Sequence, residues 1–125
     1  WDFGYRDKFP DLDYQNAAVL LARIISKPGG DSITLDLGHK SVAAENPHPR
    51  VQFIGLDDAE PVVHSEEHLT LRTARAAEFK VGDCLYGIPR HICPTVALYD
   101  RAHVIRSGKL AGQWPITARA RKLTY

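Results

Sequence analysis

The sequence predicts an all-β fold, built as a single β-barrel-like domain, and three observations support this prediction. Short segments rich in β-branched and aromatic residues recur along the 125 residues, and turn-forming residues separate them. No segment has the apolar spacing of a long amphipathic helix, and there is no internal repeat. A chain of this length forms one domain, and its 44% hydrophobic content is sufficient for an ordinary core. An independent Rossmann or TIM unit is therefore excluded.

The predicted elements follow one another through short turns. The first strand is expected at 17–27, and Pro28-Gly29-Gly30-Asp31 is a turn that pairs it with a second strand at 32–37. In that second strand Ile33, Leu35 and Leu37 share one face. Further strands are expected at 51–54, once or twice within 61–71, and at 84–88, 103–106 and 112–123. Residues 94–98 are expected to be extended and 74–77 a brief helical turn. Residues 1–16 are expected to be an irregular lead-in to a domain at 17–125.

Charge and cysteine content exclude several classes of protein. The chain has 16 basic and 15 acidic residues, so nothing indicates a nucleic-acid partner. No apolar run approaches the ~20 residues that span a membrane, and no signal peptide is evident. With only Cys84 and Cys93, a reduced, cytoplasmic protein is expected. The absence of Met and the start at Trp1 indicate a piece of a longer protein.

The pair His91-x-Cys93 is the strongest chemical signal in the chain. Imidazole nitrogen and thiolate sulfur are ligands that zinc prefers, and residues i and i+2 of an extended backbone point to the same face. Two ligands form only half of a structural zinc site. The pair is therefore either a half-site completed by other groups, or a histidine beside a cysteine buried in the core.

Two other polar segments are candidates for a site. Ser65-Glu66-Glu67-His68 places carboxylates beside an imidazole, which suits acid–base chemistry or a solvated strand end. Asp36-Leu37-Gly38-His39-Lys40 ends a strand at a glycine followed by basic side chains, which suits an anion site or an exposed strand end. No Gly-x-Ser-x-Gly elbow occurs, so serine nucleophile chemistry has no support.

Taken in order, these segments resemble the C-terminal β-domain of the D-threonine aldolase and D-serine dehydratase family. The resemblance rests on five segments and covers the chain from about Ala17 onward: Leu35 to Ser41, His48-Pro49-Arg50-Val51, Ser65-Glu66-Glu67-His68, Val81-Gly82-Asp83 and Pro89 to Val96.

The resemblance implies a pyridoxal-phosphate enzyme whose N-terminal barrel carries the cofactor on a lysine. It implies a homodimer that acts on a D-3-hydroxy amino acid by aldol cleavage or dehydration. In the family's dehydratases a His-x-Cys pair binds zinc, and the matching residues here are His91 and Cys93; other divalent metals serve some aldolases. The metal would activate the substrate's β-hydroxyl. His68 matches a family motif, and His39 lies where the related racemases place a tyrosine; both are candidate catalytic residues.

The same resemblance limits what the 125 residues are expected to do alone. The Schiff-base lysine belongs to the barrel, so no cofactor-binding residue is assigned in this chain and no activity is expected from it alone. Two alternatives remain at this point. One is a non-catalytic β-barrel binding module, and the other is an amino acid racemase domain, against which the lack of a tyrosine at His39 argues.

Overall fold

In a computed structural model that describes residues 1–124, eight strands form a six-stranded antiparallel sheet and a separate two-stranded hairpin. The strands are β1 (Leu20–Gly29), β2 (Ser32–Leu35), β3 (Val51–Phe53), β4 (Glu60–His64), β5 (Leu69–Arg72), β6 (Cys84–Pro89), β7 (Arg101–Arg106) and β8 (Lys109–Pro115). Two short helices, α1 (Phe3–Lys8) and α2 (Ile92–Val96), and two 3₁₀ turns, Ala76–Glu78 and Thr117–Arg119, complete the described elements.

The large sheet has the strand order β3-β6-β1-β2-β5-β4 and curls into an open half-barrel. The all-β, barrel-like prediction is therefore confirmed. Side chains alternate between the two faces of each strand, and the apolar ones on the inner face form the core. Ile33 and Leu35 of β2 are fully buried opposite Leu71 and Leu69 of β5. The hairpin β7–β8 turns at Ser107 and Gly108, both with positive φ. None of the described helices is long and apolar enough to cross a membrane.

Three sequence predictions about secondary structure are wrong. Residues 1–16 are not wholly irregular, because Asp2 caps α1 by accepting a hydrogen bond from the Tyr5 N–H at 2.8 Å. Residues 94–98 are not extended, because α2 occupies 92–96. The last strand ends at Pro115 and not at 123, and a 3₁₀ turn follows it.

The buried Asp2 carboxylate joins the two helices. One carboxylate oxygen caps α1, and the other accepts a hydrogen bond from the Ile92 N–H, the first of α2, at 2.7 Å. Gly4 N–H also donates to the Arg90 carbonyl at 3.1 Å. The N-terminal segment therefore fixes the position at which α2 begins, which is directly after His91.

Candidate functional site

His91 and Cys93 lie at the start of α2 and not on a strand. His91 is the N-cap residue, with extended φ and ψ of −136° and 106°, and Cys93 lies within the first helical turn. The expected i, i+2 geometry of an extended backbone is therefore wrong. The interpretation as a buried cysteine does not apply either, because Cys93 is a free, exposed thiol and His91 is only partly buried.

Hydrogen bonds fix α2 against the loop 38–49. The buried Thr95 hydroxyl donates to the His91 carbonyl at 2.7 Å and accepts from the Ala43 N–H at 3.1 Å. The Tyr99 hydroxyl donates to the Ser41 carbonyl at 2.7 Å. Burial raises the pKa of Tyr99, so this phenol stays protonated and remains a donor. The loop and the helix therefore form one fixed surface.

A carboxylate from this loop orients the His91 ring. Glu45 Oε1 lies 2.5 Å from His91 Nδ1. Partial burial opposes ionisation of Glu45, but hydrogen bonds from His91, its own backbone and Asn46 outweigh it and hold the Glu45 pKa below its usual value. An ionised carboxylate only accepts, so Nδ1 carries the hydrogen and donates it. In the neutral ring this tautomer places the lone pair on Nε2, which has no hydrogen-bond partner among residues 1–124.

The donor set at this position fits zinc. A carboxylate hydrogen-bonded to the distal ring nitrogen is the usual outer partner of a zinc-bound histidine, and the exposed Cys93 thiol supplies sulfur two residues away. Among the described residues, no group of three or more His, Cys, Asp and Glu side chains is arranged to hold a metal ion. A metal held by His91 and Cys93 would therefore need further ligands, which water can supply in the isolated chain.

Removing the Glu45 carboxylate should weaken zinc binding at this pair. We expect Glu45→Ala to raise the zinc dissociation constant about 10- to 100-fold, the usual cost of losing an outer-shell partner. The measurement is a zinc titration of the purified chain followed by the His91 ring signals in NMR spectra. Glu60→Ala, which removes an exposed carboxylate from β4, should leave the constant unchanged. Equal constants for both variants would contradict the role of Glu45.

A second cluster of imidazoles surrounds Arg50. Arg50 Nη1 lies 3.2 Å from His39 Nε2 and 3.2 Å from His64 Nδ1. The His39 and His64 rings meet edge to face with centroids 4.5 Å apart. The ring centroids of His48 and His64 are 5.5 Å apart. Guanidinium only donates, so the ring nitrogen that it contacts on each histidine acts as the acceptor.

The environment of the cluster lowers the pKa of two of its imidazoles. Burial, the neighbouring His39 and the Arg50 charge lower the pKa of His64 to about 4, although the Leu37 carbonyl, which accepts from His64 Nε2 at 3.1 Å, opposes this. Burial and the Arg50 charge also lower the pKa of His48. His64 and His48 are therefore neutral at neutral pH, beside the positive charge of Arg50.

One loop connects the histidine cluster to His91. The Asn46 carbonyl accepts from Arg50 Nε at 2.8 Å, and Asn46 Nδ2 donates to Glu45 Oε1 at 2.8 Å. Glu45 in turn holds His91. Two consecutive loop residues therefore fix both the arginine and the candidate metal ligand, and we treat the two groups as one candidate site.

Of the other predicted site residues, His39 joins the cluster and His68 does not. Gly38 packs so closely on the 65–68 turn that an added Cβ would lie 2.1 Å from the Glu66 carbonyl oxygen. The Lys40 ammonium pairs with Glu67 at 2.6 Å and with Glu66 at 3.3 Å, so it is not a free cation. The exposed His68 ring has no hydrogen-bond partner in the part of the chain that the structure describes, and its catalytic role stays a prediction.

The sequence patterns assign no role to His48, Arg50, His64 or Glu45. His48 and Arg50 lie in a proline-containing loop and His64 at the end of β4, so only the fold brings them to His39. Glu45 is 46 positions from His91 and carries no motif. The segment His48-Pro49-Arg50-Val51 is part of the family resemblance, and it is the one sequence signal that points to this loop.

Comparisons with known proteins identify a family and relatives for this chain. Residues 17–105 match the family described as "Putative serine dehydratase domain". D-threonine aldolase from an Arthrobacter species is 32% identical over 119 residues, which cover 94% of this chain and 31% of the aldolase. The chain therefore spans about a third of that relative's length.

Two further matches differ in how much of the related protein this chain covers. An uncharacterized protein of Mycobacterium tuberculosis is 31% identical over 115 residues, covering 89% of this chain and 86% of that protein. In the crystal structure of D-threonine aldolase from Filomicrobium marinum, the matching part superposes with a TM-score of 0.77 at 22% identity and covers 86% of this chain and 29% of the aldolase. The half-barrel is thus a fold that a D-threonine aldolase also contains.

Proposed function

Because the chain belongs to the serine dehydratase domain family that its residues 17–105 match, we propose that it is the C-terminal, metal-bearing domain of a pyridoxal-phosphate lyase acting on D-3-hydroxy amino acids. The observation that carries this proposal is the His91 ring, which Glu45 holds through Nδ1 so that Nε2 is left without a partner, two residues before the exposed Cys93 thiol. Similarity to a D-threonine aldolase over 94% of the chain supports the substrate class.

The chemistry divides between the cofactor, the metal and this domain. Pyridoxal phosphate, when bound by a barrel in the full-length enzyme, supplies an electron sink for negative charge at the substrate Cα. A divalent metal held by His91 and Cys93 would supply Lewis acidity to the β-oxygen, for aldol cleavage or for dehydration. Zinc is the metal that a nitrogen and sulfur donor set favours.

The residues of this chain have orienting and electrostatic roles in the proposal. Glu45 fixes the tautomer and direction of the His91 ring, and Thr95 fixes the backbone that presents it. His39 and His68 remain candidates for contact with substrate or for proton transfer. The enzyme is proposed to be a homodimer in the cytoplasm, where its two unpaired cysteines stay reduced.

A domain exchange tests the proposal directly. This chain would replace the matching C-terminal segment of the Arthrobacter D-threonine aldolase, and the products would be measured with and without a chelator. We expect chelator-sensitive turnover: glycine with acetaldehyde from D-threonine indicates cleavage, and pyruvate from D-serine indicates dehydration. His91→Ala should abolish the metal-dependent rate, while His103→Ala, on the exposed face of β7, should not.

The same experiment distinguishes the alternatives. Chelator-insensitive turnover would contradict the role of the metal, and interconversion of D- and L-amino acids without metal would support a racemase. A folded chimera that neither binds zinc nor turns over substrate would support a non-catalytic module. The 125-residue chain alone, supplied with pyridoxal phosphate, should be inactive.

A further inference from the structure

Arg50 is a partly buried cation that lacks a carboxylate partner among residues 1–124. Its Nη1 donates to two imidazole nitrogens, on His39 and His64, and its Nε donates to the Asn46 carbonyl. None of these acceptors carries a negative charge. Arginines that stabilise a fold by ion pairing face an acidic side chain, as Arg75 faces Glu78 here.

Several hydrogen-bond donors of the cluster are left without acceptors. Arg50 Nη2 has no partner among the described residues, and neither does the Nδ1–H that His39 must carry when its Nε2 accepts. Among these residues the one buried side-chain nitrogen or oxygen without a partner is Trp1 Nε1, so Arg50 Nη2 reaches solvent. Accessible, unpaired donors on a fixed cation are the features of an anion receptor.

We propose that Arg50, with His39 beside it, binds the carboxylate group of the substrate. This assignment rests on the proposed function, because every amino acid substrate carries an α-carboxylate. Three contacts hold the guanidinium in advance, so little side-chain freedom is lost when the anion binds. The Asn46–Glu45 pair connects the same guanidinium to the ring of His91, which puts carboxylate recognition on the loop that orients the metal ligand.

Arginine suits this task better than lysine at the same position. Its planar group presents several N–H donors in fixed directions, so Nη1 and Nε position it while Nη2 remains available. A lysine ammonium would keep the positive charge, but it has no separate donors that hold the group in place while another faces the anion. Arg50→Lys should therefore bind carboxylate less tightly than the unaltered chain and more tightly than Arg50→Gln.

A titration of the 125-residue chain without metal or pyridoxal phosphate tests the site. The probe is 3-hydroxybutyrate, which has the carboxylate and the β-hydroxyl but no amine. NMR spectra report the Arg50 Nε–H and the ring signals of His39 and His64. We expect saturable shifts of these signals, and an affinity at least about tenfold lower in Arg50→Gln, since a hydrogen bond to a charged group is lost. Arg72→Gln, an exposed arginine on β5, should match the unaltered chain.

The outcomes separate this site from the proposed function. Absence of saturable shifts in the unaltered chain, or equal affinities in Arg50→Gln and Arg72→Gln, would overturn the site. Inorganic phosphate is the second probe, and tighter binding of phosphate than of 3-hydroxybutyrate would overturn the assignment to a carboxylate. Should Arg50→Gln not fold, the unaltered chain and Arg50→Lys decide. Failure of the domain-exchange assay with carboxylate binding intact would retain the site and remove its assignment to a lyase substrate.

Discussion

Replacing Gly38 by Ala should remove a large part of the free energy of unfolding of this domain. A Cβ at this position would lie 2.1 Å from the Glu66 carbonyl oxygen and 2.3 Å from the Glu67 nitrogen. Both are backbone atoms of the 65–68 turn, so no side-chain rotation relieves the overlap. The two backbone segments have to separate, which makes Gly38 a steric requirement of the contact rather than a residue of unusual φ.

That separation breaks the hydrogen bonds that hold the loop. His39 N–H donates to the Ser65 carbonyl at 2.9 Å, and Lys40 N–H donates to the Glu66 carbonyl at 3.1 Å. Overpacking costs about 1–3 kcal/mol and each net hydrogen bond about 1 kcal/mol, so we expect Gly38→Ala to lower the free energy of unfolding by about 3–5 kcal/mol. Typical domains have about 5–15 kcal/mol in total.

Urea unfolding of the purified chain measures this change. Gly55→Ala is the matched control, because an added Cβ there meets open space and only the positive φ of 75° opposes it. That variant should lose about 1–2 kcal/mol, the usual cost of the left-handed region for a residue with a Cβ. A loss in Gly38→Ala no greater than in Gly55→Ala would show that the two segments can move apart without cost.

Most strands could be predicted from the sequence because their cause is local. Ile33, Leu35 and Leu37 alternate with polar residues, and all three are buried on one side of the sheet or its continuation. The Gly30-Asp31 turn between β1 and β2 was equally predictable, since a positive φ is needed at Gly30. Such patterns depend on neighbours in sequence, and the fold only confirms them.

The helix that carries Cys93 could not be predicted in this way. Ile92-Cys93-Pro94-Thr95-Val96 combines β-branched residues with a proline and has low helix propensity. Proline is tolerated because the first turn has no intrahelical use for its N–H. The deciding contacts come from elsewhere in the chain: Asp2 accepts the Ile92 N–H from 90 positions away, and the Ala43 N–H donates to Thr95.

The candidate site shows the same division between local and distant causes. His91, Cys93 and His39 were identifiable because each lies in a short recognisable motif. The ring of His91 is oriented by Glu45, and His39 shares Arg50 with His64, which arrives on β4. Residue types and spacing indicated the chemistry, whereas the partners that set protonation and direction depend on how the sheet curls.

Removing the Asp2 carboxylate should have the second largest effect on stability. Asp2 is fully buried, and its two oxygens accept the N–H groups of Tyr5 and Ile92 at 2.8 and 2.7 Å. Asp2→Ala removes the cap of α1 and leaves both of these donors without an acceptor. A lost cap costs about 0.5–2 kcal/mol and an unsatisfied buried donor about 1–3 kcal/mol, so we expect a loss of about 2–4 kcal/mol in the free energy of unfolding.

Two matched variants show whether this loss arises from the shared carboxylate. Asp2→Asn keeps the size and one acceptor oxygen but directs an NH₂ at the other donor, so it should fall between Asp2→Ala and the unaltered chain in urea unfolding. Asp11→Ala removes an exposed carboxylate from the same segment and should change the free energy by less than about 0.5 kcal/mol. Because Ile92 directly follows His91, Asp2→Ala should also shift the NMR signals of the His91 ring, and Asp11→Ala should not. A stability loss with unshifted His91 signals would mean that Asp2 stabilises α1 without positioning the candidate metal ligand.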